Sequence, residues 1–402
     1  MIERIFLPVG QGAFYLEKFE ILGKTINVIY DCGSIDKYPY VKNSAILERE
    51  IKKNFKKNEE IHAVFISHLH EDHINGIEYL LDHCKVKKIF FPLLTDNKPI
   101  ALLNYLINGT HNKYNTESNE RDFIYDFIND PKDALSKWEY DKSIEVYGIS
   151  PYKSENSDED SDTNSNTVQE IPSGTNVADK VFSEEVFWEY IPYNFEYKDR
   201  NEELRELLNN DAKLKELLYK DDKINKDIVE YLIDSIDKNN WKDIEKRLKE
   251  ILKDNKKINL YSNTNSMTLY SGLNYKCKPF LIHDFLCSSY LSDAYGFLYS
   301  SSIPTGCLYT GDYEGGIRKL EKTYFNTYGE YIGILQIPHH GSKRNYRKTL
   351  LKKLKNCKFC IISFGENNNY HHPSGYVVDD IIKNRRIPLL VTEDITTKVC
   401  FK

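Results

Sequence analysis

The chain has 402 residues, of which 40% are hydrophobic and 29% charged, and its formal net charge is −6. This length allows one large layered domain with an insertion, and the acidic balance excludes a grip on nucleic acid spread over the whole surface. Eight cysteines lie scattered in apolar runs, so we expect buried free thiols in a reducing compartment. The N-terminus lacks a signal-peptide core and no apolar run approaches the roughly 20 residues of a membrane span, which favours a cytoplasmic protein without a membrane partner.

Strands and helices alternate over the first part of the chain. Apolar periodicity predicts a β meander up to Tyr30, a helix over about 43–54, a strand over 63–66, a helix to about 83 and a strand over 86–91. Such interleaving is typical of an α/β fold built in layers. We assign residues 1–94 to the first half of one domain.

The pattern changes between residues 95 and 256, which we interpret as an insertion or cap. A polar, acidic stretch over about 153–175 predicts a flexible loop, and apolar residues at steps of three and four predict helices over about 200–253. The charges on these helices are typical of a solvated face. The insertion would either cover a functional site or serve as a docking surface for a protein partner.

Strand character returns after the insertion. Residues 257–402 again alternate predicted strands with helices, and the helices fall at about 344–354 and 374–382. We assign this region to the second half of the domain that residues 1–94 begin.

Three histidines and an aspartate fall within six positions, at His68, His70, Asp72 and His73, directly after the apolar run 63–66. Imidazole nitrogen and carboxylate oxygen are ligands of zinc and comparable divalent ions. A polar turn whose histidines bind nothing is the alternative, but unpaired ligand groups at the end of a buried strand carry a desolvation cost. The segment therefore predicts a metal site.

Further ligand types follow the ends of later predicted strands. Asp312 comes after an apolar run, as do the pair His339-His340 and the pair His371-His372. Glycines beside Asp312 and His340 relax the backbone at these turns. Each segment alone is weak, since Gly-Asp after a strand is usually a simple turn. In this order after the histidine cluster, they reinforce one another.

With these motifs the chain resembles the metallo-β-lactamase superfamily, and within it the ComEC-type metallo-hydrolase domain. The resemblance covers about residues 1–93 and 258–400 and leaves the insertion unexplained. It implies an αββα sandwich of two mixed sheets flanked by helices, with a large, mostly helical insertion. The matching segments are Val9–Gly12, Tyr30–Gly33, His68–His73 with Asn75-Gly76, Thr310–Asp312, Pro338–Ser342 and Asn368–Pro373.

The resemblance also implies two divalent metal ions, zinc or manganese, and a role for each matched residue. The ligands fall into three groups: His68 and His70 for the first ion, Asp72, His73 and either His339 or His340 for the second, and Asp312 as the bridge. Asp31 would accept a hydrogen bond from a ligand imidazole and fix its tautomer. The alternative for Asp31 is a turn aspartate before Cys32-Gly33.

The first ion lacks an obvious third ligand. The superfamily usually has a histidine upstream of the Gly-Asp, and two segments of this chain are candidates for that position. His283 lies in a β-like run, where a lone histidine is often structural, and the turn over 263–266 resembles the Asn/Ser-containing segment of ComEC relatives. Both remain open on the sequence.

The implied chemistry is hydrolysis. Two divalent ions roughly 4 Å apart lower the pKa of a shared water, so that a metal-bound hydroxide exists at neutral pH, and they neutralise charge on a phosphoryl or acyl oxygen. Asp72 or Asp312 would shuttle the proton, and His372 would donate to the leaving oxygen or bind a phosphate oxygen. For His372 the alternative is a histidine at a helix start beside Pro373.

Ser342, Lys343 and Arg344 open a basic stretch beside the His339-His340 pair, which favours a phosphodiester over a neutral lactam. Ser342 would offer its hydroxyl or N–H to phosphate near a helix start, whereas the cations would otherwise be an ordinary solvated helix face. We therefore expect a two-metal phosphodiesterase or nuclease with a nucleic acid or nucleotide substrate. The alternatives are a hydrolase of a small molecule, such as a cyclic nucleotide or an ester, and a subunit that acts only with a protein partner.

Overall fold

The computed structural model describes residues 1–35, 43–94, 98, 101, 123–138, 144–153, 168–182, 186–218, 241–254, 265–276, 281–282 and 303–402. These residues form two compact units. The first contains Met1–Leu93, Leu135–Phe195 and Ser266–Lys402, and the second contains Leu94–Ala134 and Glu196–Asn265. His283 and residues 263–264 lie outside the described residues, so these candidates for the first metal ion remain predictions.

Two large sheets form the centre of the first unit. In chain order the strands are β1 Ile2–Phe6, β2 Phe14–Ile21, β3 Lys24–Cys32, β4 Glu60–Ile61, β5 Ala63–Phe65, β6 Lys85–Val86, β7 Lys88–Pro92, β8 Glu145–Ile149, β9 Gln169–Ile171, β10 Trp188–Glu196, β11 Asn265–Leu273, β12 Leu281–Ile282, β13 Ile303–Pro304, β14 Gly306–Tyr309, β15 Ile332–Gln336, β16 Phe359–Ser363, β17 Ile387–Val391 and β18 Val399–Phe401. The first sheet has the order β18-β1-β2-β3-β5-β7-β8-β9, and the second has the order β10-β11-β14-β15-β16-β17.

Both sheets are mixed. In the first, β3, β5, β7, β8 and β9 pair in parallel, while β1 pairs antiparallel with β2 and β18. In the second, β14 to β17 are parallel and β11 pairs antiparallel with β14. Because parallel strands end at the same edge of a sheet, the loops after β3 and β5 are neighbours, and so are the loops after β14, β15 and β16.

The inner faces of the two sheets share one apolar core. Tyr30 on β3 stacks on Tyr309 on β14, with ring centroids 4.7 Å apart. A buried ion pair lies in the same core, where Arg4 Nε donates to Glu17 Oε1 at 2.7 Å and the Tyr309 hydroxyl donates to the same oxygen at 2.8 Å. These bonds satisfy charges that would otherwise be costly to bury.

Helices cover the outer face of the second sheet, where Leu350, Val377 and Ile381 pack with strand residues such as Leu335 and Ile362. This arrangement confirms the predicted α/β sandwich of two mixed sheets with flanking helices. In chain order the helices are α1 Asn43–Asn54, α2 Glu71–Ile74, α3 Ile77–His83, α4 Phe123–Asn129, α5 Pro131–Leu135, α6 Ala178–Val181, α7 Lys198–Asn209, α8 Ala212–Leu218, α9 Trp241–Asp254, α10 Ile317–Leu320, α11 Asn326–Tyr328, α12 Thr349–Lys353 and α13 Gly375–Lys383.

The region predicted as an insertion, 95–256, contributes to both units. Its strands β8 and β9 extend the first sheet and β10 forms an edge of the second, through pairings that the sequence pattern does not reveal. The helices α7, α8 and α9 lie in the second unit, where Arg247 contacts Asp211 at 2.6 Å. Residues 154–167 of the predicted acidic loop are outside the described part. The boundaries of the insertion at 94/95 and 256/257 stay a prediction.

Candidate metal centre

The segment that carries His68 to His73 runs from the loop after β5 into α2, which begins at Glu71, and it rests directly on two glycines. A Cβ atom on Gly33 would lie 2.4 Å from the backbone nitrogen of His73, and one on Gly12 would lie 2.8 Å from the Asp72 carbonyl oxygen. Ala13 N also donates to that carbonyl at 3.1 Å. Only glycine leaves room for this close backbone approach. The Gly-Gln-Gly and Asp-Cys-Gly motifs therefore form the surface on which the His68–His73 segment packs.

Asp31 and Ser67 fix the hydrogen-bonding state of two histidines. Asp31 is fully buried; its Oδ1 accepts from Ser67 N at 2.6 Å, and its Oδ2 accepts from the Ser67 hydroxyl at 2.7 Å and from His73 Nδ1 at 2.8 Å. The Ser67 oxygen in turn lies 2.9 Å from His68 Nδ1, in position to accept its proton. Protons on both Nδ1 atoms leave both Nε2 atoms as electron-pair donors.

Asp312 is placed by a glutamine that the sequence analysis missed. Gln336 Oε1 accepts from Thr310 N at 2.7 Å and from Gly311 N at 2.8 Å, and so holds the turn after β14. Gly311 adopts a φ of +50°, and a Cβ atom there would lie 2.7 Å from Ser67 Cβ. The signal for Gln336 was present in the sequence, since it is a polar residue between apolar neighbours at a strand end.

His339 and His340 both adopt the left-handed backbone region, with φ of 50° and 53°. This conformation costs free energy for residues other than glycine and persists only where the surroundings impose it. His340 Nδ1 donates to the Ser363 carbonyl at 2.8 Å, which turns its Nε2 toward Asp72 Oδ2 at 3.2 Å. His339 Nδ1 instead contacts the side-chain amide of Asn345 at 3.0 Å. The two neighbouring histidines therefore face different partners.

Asp312 directs one oxygen toward each of two histidine pairs. Its Oδ1 lies 3.3 Å from His73 Nε2 and 3.9 Å from His340 Nε2. Its Oδ2 lies 3.7 Å from His68 Nε2 and 3.4 Å from His339 Nδ1. A carboxylate with this placement is suited to bridge two ions.

The donor atoms fit a divalent ion on the Oδ1 side of Asp312. Two ligand atoms each about 2.1 Å from one tetrahedral ion lie about 3.4 Å apart. The separations of His73 Nε2 and His340 Nε2 from the oxygens of Asp72 and Asp312 range from 3.2 to 3.9 Å. Among the described residues, the buried His68 Nε2 and His73 Nε2 have no hydrogen-bond partner. Bound ions would satisfy both atoms, and His340 rather than His339 forms the group with His73 and Asp312.

The His68 side of the centre is less complete. The His70 ring lies 4.8 Å from the His68 ring and is partly buried, and burial lowers the pKa of both imidazoles. Ser266 is fully buried. It lies next to Ser67 and His68 in space, because the residue that follows it, Met267, donates its backbone N–H to the Ser67 carbonyl at 2.7 Å. Of the turn proposed as an alternative ligand, only residues 265–266 fall in the described part.

The centre attracts positive charge. Burial acts to lower the pKa of His73, but the carboxylates of Asp72, Asp31 and Asp312 outweigh it and hold this pKa well above its usual range. Conversely, burial acts to raise the pKa of Asp72, but His73 and His340 bring it below its usual range. Without a metal, a proton on His73 compensates three carboxylates. A divalent ion would take the place of such protons.

His372 lies at the edge of the centre, with its ring centroid 5.8 Å from that of His339. Burial and the nearby imidazoles lower the pKa of His372 to about 4, so the ring is neutral at pH 7. This differs from an imidazolium that gives up a proton to a leaving group. A neutral ring can still donate a hydrogen bond to a phosphate oxygen.

The expectation of a helix over 344–354 is wrong at its start, because residues 343–345 form a turn and α12 begins at Thr349. Ser342 therefore does not lie at a helix start, and its N–H donates to the His339 carbonyl at 2.8 Å. Lys343 and Arg344 are exposed, just after the His339-His340 pair in the chain. Lys343 Nζ lies 5.3 Å from the centroid of the Tyr376 ring, a cation–π contact.

Comparison with known proteins bears on the fold. The sequence model of the metallo-beta-lactamase superfamily matches residues 13–99, which include Asp31 and the His68–His73 segment. No curated protein matches the chain. A long-form RNase Z from yeast is 11% identical with a TM-score of 0.31, and the match covers 99% of this chain but 41% of the RNase Z. Unliganded yeast PDE1 is 7% identical with a TM-score of 0.35, covering 100% of this chain and 99% of PDE1.

These identities and TM-scores are too low for either solved structure to assign an activity to this chain. The match of residues 13–99 confirms the predicted superfamily resemblance, while the ComEC-type subgroup stays a prediction. In the described residues no helix has the length and apolarity needed to cross a membrane. The chain has the metallo-β-lactamase fold, with its His-x-His-x-Asp-His segment at the carboxyl end of β5.

Proposed function

We propose that the chain is a metal-dependent hydrolase with two divalent ions, zinc or manganese, and that it cleaves phosphodiesters in nucleic acid or another nucleotide polymer. The observation that carries the proposal is the placement of Asp312, whose two oxygens face different histidine pairs. Such ions lower the pKa of a shared water and neutralise charge on the phosphoryl group.

The surrounding residues have separate tasks in this proposal. Asp31, Ser67 and the Ser363 carbonyl hold protons on the Nδ1 atoms of ligand histidines, so that each ring is oriented before any ion arrives. Asp72 is the residue best placed to accept a proton from water, because its carboxylate is at the rim of the centre with 13% side-chain exposure. Asp312, at 4% exposure, is more enclosed.

The polar rim supports a phosphate-bearing substrate. His372 would donate a hydrogen bond from its neutral ring to a phosphate oxygen, and Lys343 and Arg344 would supply positive charge beside the ligand loop. Because Ser342 N is already used by the His339 carbonyl, its hydroxyl is the remaining group for a phosphate contact. The nitrogen and oxygen ligands suit zinc and manganese alike.

A substrate panel tests the proposal. Purified protein loaded with either zinc or manganese would be assayed with single-stranded DNA, RNA, a cyclic dinucleotide, a carboxylic ester and a chromogenic phosphodiester. We expect turnover of phosphodiesters that is lost in Asp72→Ala, with His371→Ala as an exposed-histidine control. Turnover of the ester alone would contradict the phosphodiesterase assignment, and activity only with an added protein partner would favour a partner-dependent subunit.

A further inference from the structure

Tyr370 is a large aromatic side chain with 57% of its surface exposed, five residues before α13 begins at Gly375. It lies in a turn that a single amide side chain fixes. Asn368 Nδ2 donates to the carbonyls of Gly365 at 2.6 Å and His372 at 2.8 Å, and its Oδ1 accepts from His372 N at 2.9 Å. The exposed ring therefore projects from a backbone that is already ordered.

The same turn is joined to the histidine loop of the metal centre. Ser374 N donates to the Gly341 carbonyl at 3.0 Å. Gly341 has a φ of +79°, and a Cβ atom there would lie 2.7 Å from Pro373 Cβ. Since Gly341 directly follows His340, these contacts fix the distance between the Tyr370 turn and the His339-His340 pair.

Aromatic rings connect Tyr370 to the centre in two steps. The Tyr370 ring lies nearly parallel to His372, with an interplanar angle of 13° and centroids 5.9 Å apart. The His372 ring lies 5.8 Å from His339, whose Nδ1 is 3.4 Å from Asp312 Oδ2. Tyr370 is therefore separated by two imidazole rings from the Asp312 oxygen that faces His339.

We propose that Tyr370 is a stacking platform for the nucleobase next to the phosphate that is cleaved, and that it makes the centre specific for nucleotide phosphodiesters over simple ones. The inference rests on the proposed phosphodiesterase function. Stacking suits this position because every base has an aromatic face, so the site selects nucleotides without selecting a sequence.

Two substrates with the same leaving group separate stacking from chemistry. Thymidine 5′-(p-nitrophenyl phosphate) carries a base, whereas methyl p-nitrophenyl phosphate does not. For manganese-loaded protein, Tyr370→Ala should lower kcat/KM on the thymidine ester by about 5- to 150-fold, the range expected for loss of one stacked base, mostly through KM. The methyl ester should be cleaved as by the original protein. Tyr370→Trp should retain the preference and Tyr370→Leu should lose it.

Tyr275→Ala is the matched control, since Tyr275 is also exposed, at 43%. It follows the C-terminal end of β11, whereas the N-terminal end of that strand contacts Ser67. An equal loss on both esters, or no loss on either, would overturn the platform. If Tyr370→Ala does not fold, the comparison of Tyr370→Trp with Tyr370→Leu decides the question.

The test also distinguishes failure of the platform from failure of the proposed function. Should the original protein cleave neither ester, the phosphodiesterase proposal fails. Calorimetric titration of the manganese-loaded protein with thymidine 5′-monophosphate and with methyl phosphate then decides the stacking. Tighter binding of the nucleotide that Tyr370→Leu abolishes would support the platform, and equal binding of the two phosphates would overturn it.

Discussion

His73 Nδ1 lies 2.8 Å from Oδ2 of Asp31, and neither side chain has measurable exposure to solvent. The carboxylate keeps the proton of His73 on Nδ1 and aims the Nε2 lone pair at the centre formed by Asp72, Asp312 and His340. Asp31 has three hydrogen bonds from Ser67 and His73 that offset its burial, although burial still raises its pKa. The orientation of His73, a proposed metal ligand, therefore depends on Asp31, which is outside the proposed ligand set.

Asp31→Asn tests this orientation. The amide is similar in shape but lacks the charge that supports a ligand imidazole, so we expect metal affinity to fall by about 10- to 100-fold with little change in fold. Titration with a fluorescent zinc competitor measures the change. Asp379→Asn, at an exposed carboxylate paired with Lys383, is the control and should bind metal as before. Unchanged affinity in Asp31→Asn would show that the hydrogen bond has no effect on the ligand.

Metal binding should release protons. The surrounding carboxylates hold the pKa of His73 well above its usual range, so this ring is protonated at neutral pH before the ion binds, and binding requires its neutral form. Affinity should therefore rise with pH until the pKa of the metal-free site is passed. Calorimetry at pH 7 in buffers with different ionisation enthalpies should show a heat that depends on the buffer. A buffer-independent heat would contradict the protonated state.

Replacing Asp72 and His73 together by alanine should abolish phosphodiester cleavage. The double change removes a nitrogen and an oxygen from the group that fits the second ion, while the sheets that carry the loop remain intact. Circular dichroism would show whether the fold persists. Turnover at the original rate in a folded double variant would exclude the proposed second metal site.

His372 should act as a neutral hydrogen-bond donor. Because its pKa is lowered to about 4, its charge does not change between pH 5.5 and 9. His372→Ala should lower kcat by about 100-fold, as expected when one donor to transition-state charge is lost, and leave the shape of the pH profile in this range unchanged. Exposed His371 provides the control for a nearby histidine. Loss of a basic limb from the profile would show that His372 acts as an acid.

The basic stretch that follows the His339-His340 pair should contribute to polynucleotide binding. If Lys343, Arg344 and Arg347 each neutralise one phosphate, their combined replacement by alanine should reduce the slope of log K against log salt by about 2 to 3. Fluorescence anisotropy with a labelled oligonucleotide in EDTA measures binding without cleavage. A control triple changes exposed cations elsewhere, at Arg318, Lys319 and Lys322. Equal slopes in both triples would reduce the stretch to ordinary surface charge.

The sequence was informative where residue type alone carries chemistry. His68 to His73, Asp312 and His340 could be recognised as ligand types at strand ends. The structure brings His68, Asp72 and His73 together, and likewise His73, Asp312 and His340. The backbone that positions them was not visible, since the left-handed conformation of His339 and His340 follows from contacts with other loops. For the same reason the sequence could not distinguish which of these two histidines faces Asp72.

Local patterns failed where tertiary partners decide the structure. The strands β8 and β9 are short. Their place in the first sheet depends on the pairing of β8 with β7 and of β9 with β8, rather than on their own periodicity. The apolar and basic residues after Ser342 suggested a continuous helix, but the first of them form a turn. Gln336 was overlooked because its function is to hold the backbone before Asp312, a task that no ligand motif records.

The number and coupling of bound ions test the proposed dinuclear centre most directly. Protein loaded with manganese and freed of excess ion would be examined by elemental analysis and electron paramagnetic resonance, with Asp312→Asn in parallel. Because the two oxygens of Asp312 face different histidine pairs, we expect two ions per chain with an exchange-coupled spectrum that Asp312→Asn loses. One ion per chain, or two ions with uncoupled spectra in the original protein, would contradict a bridged pair.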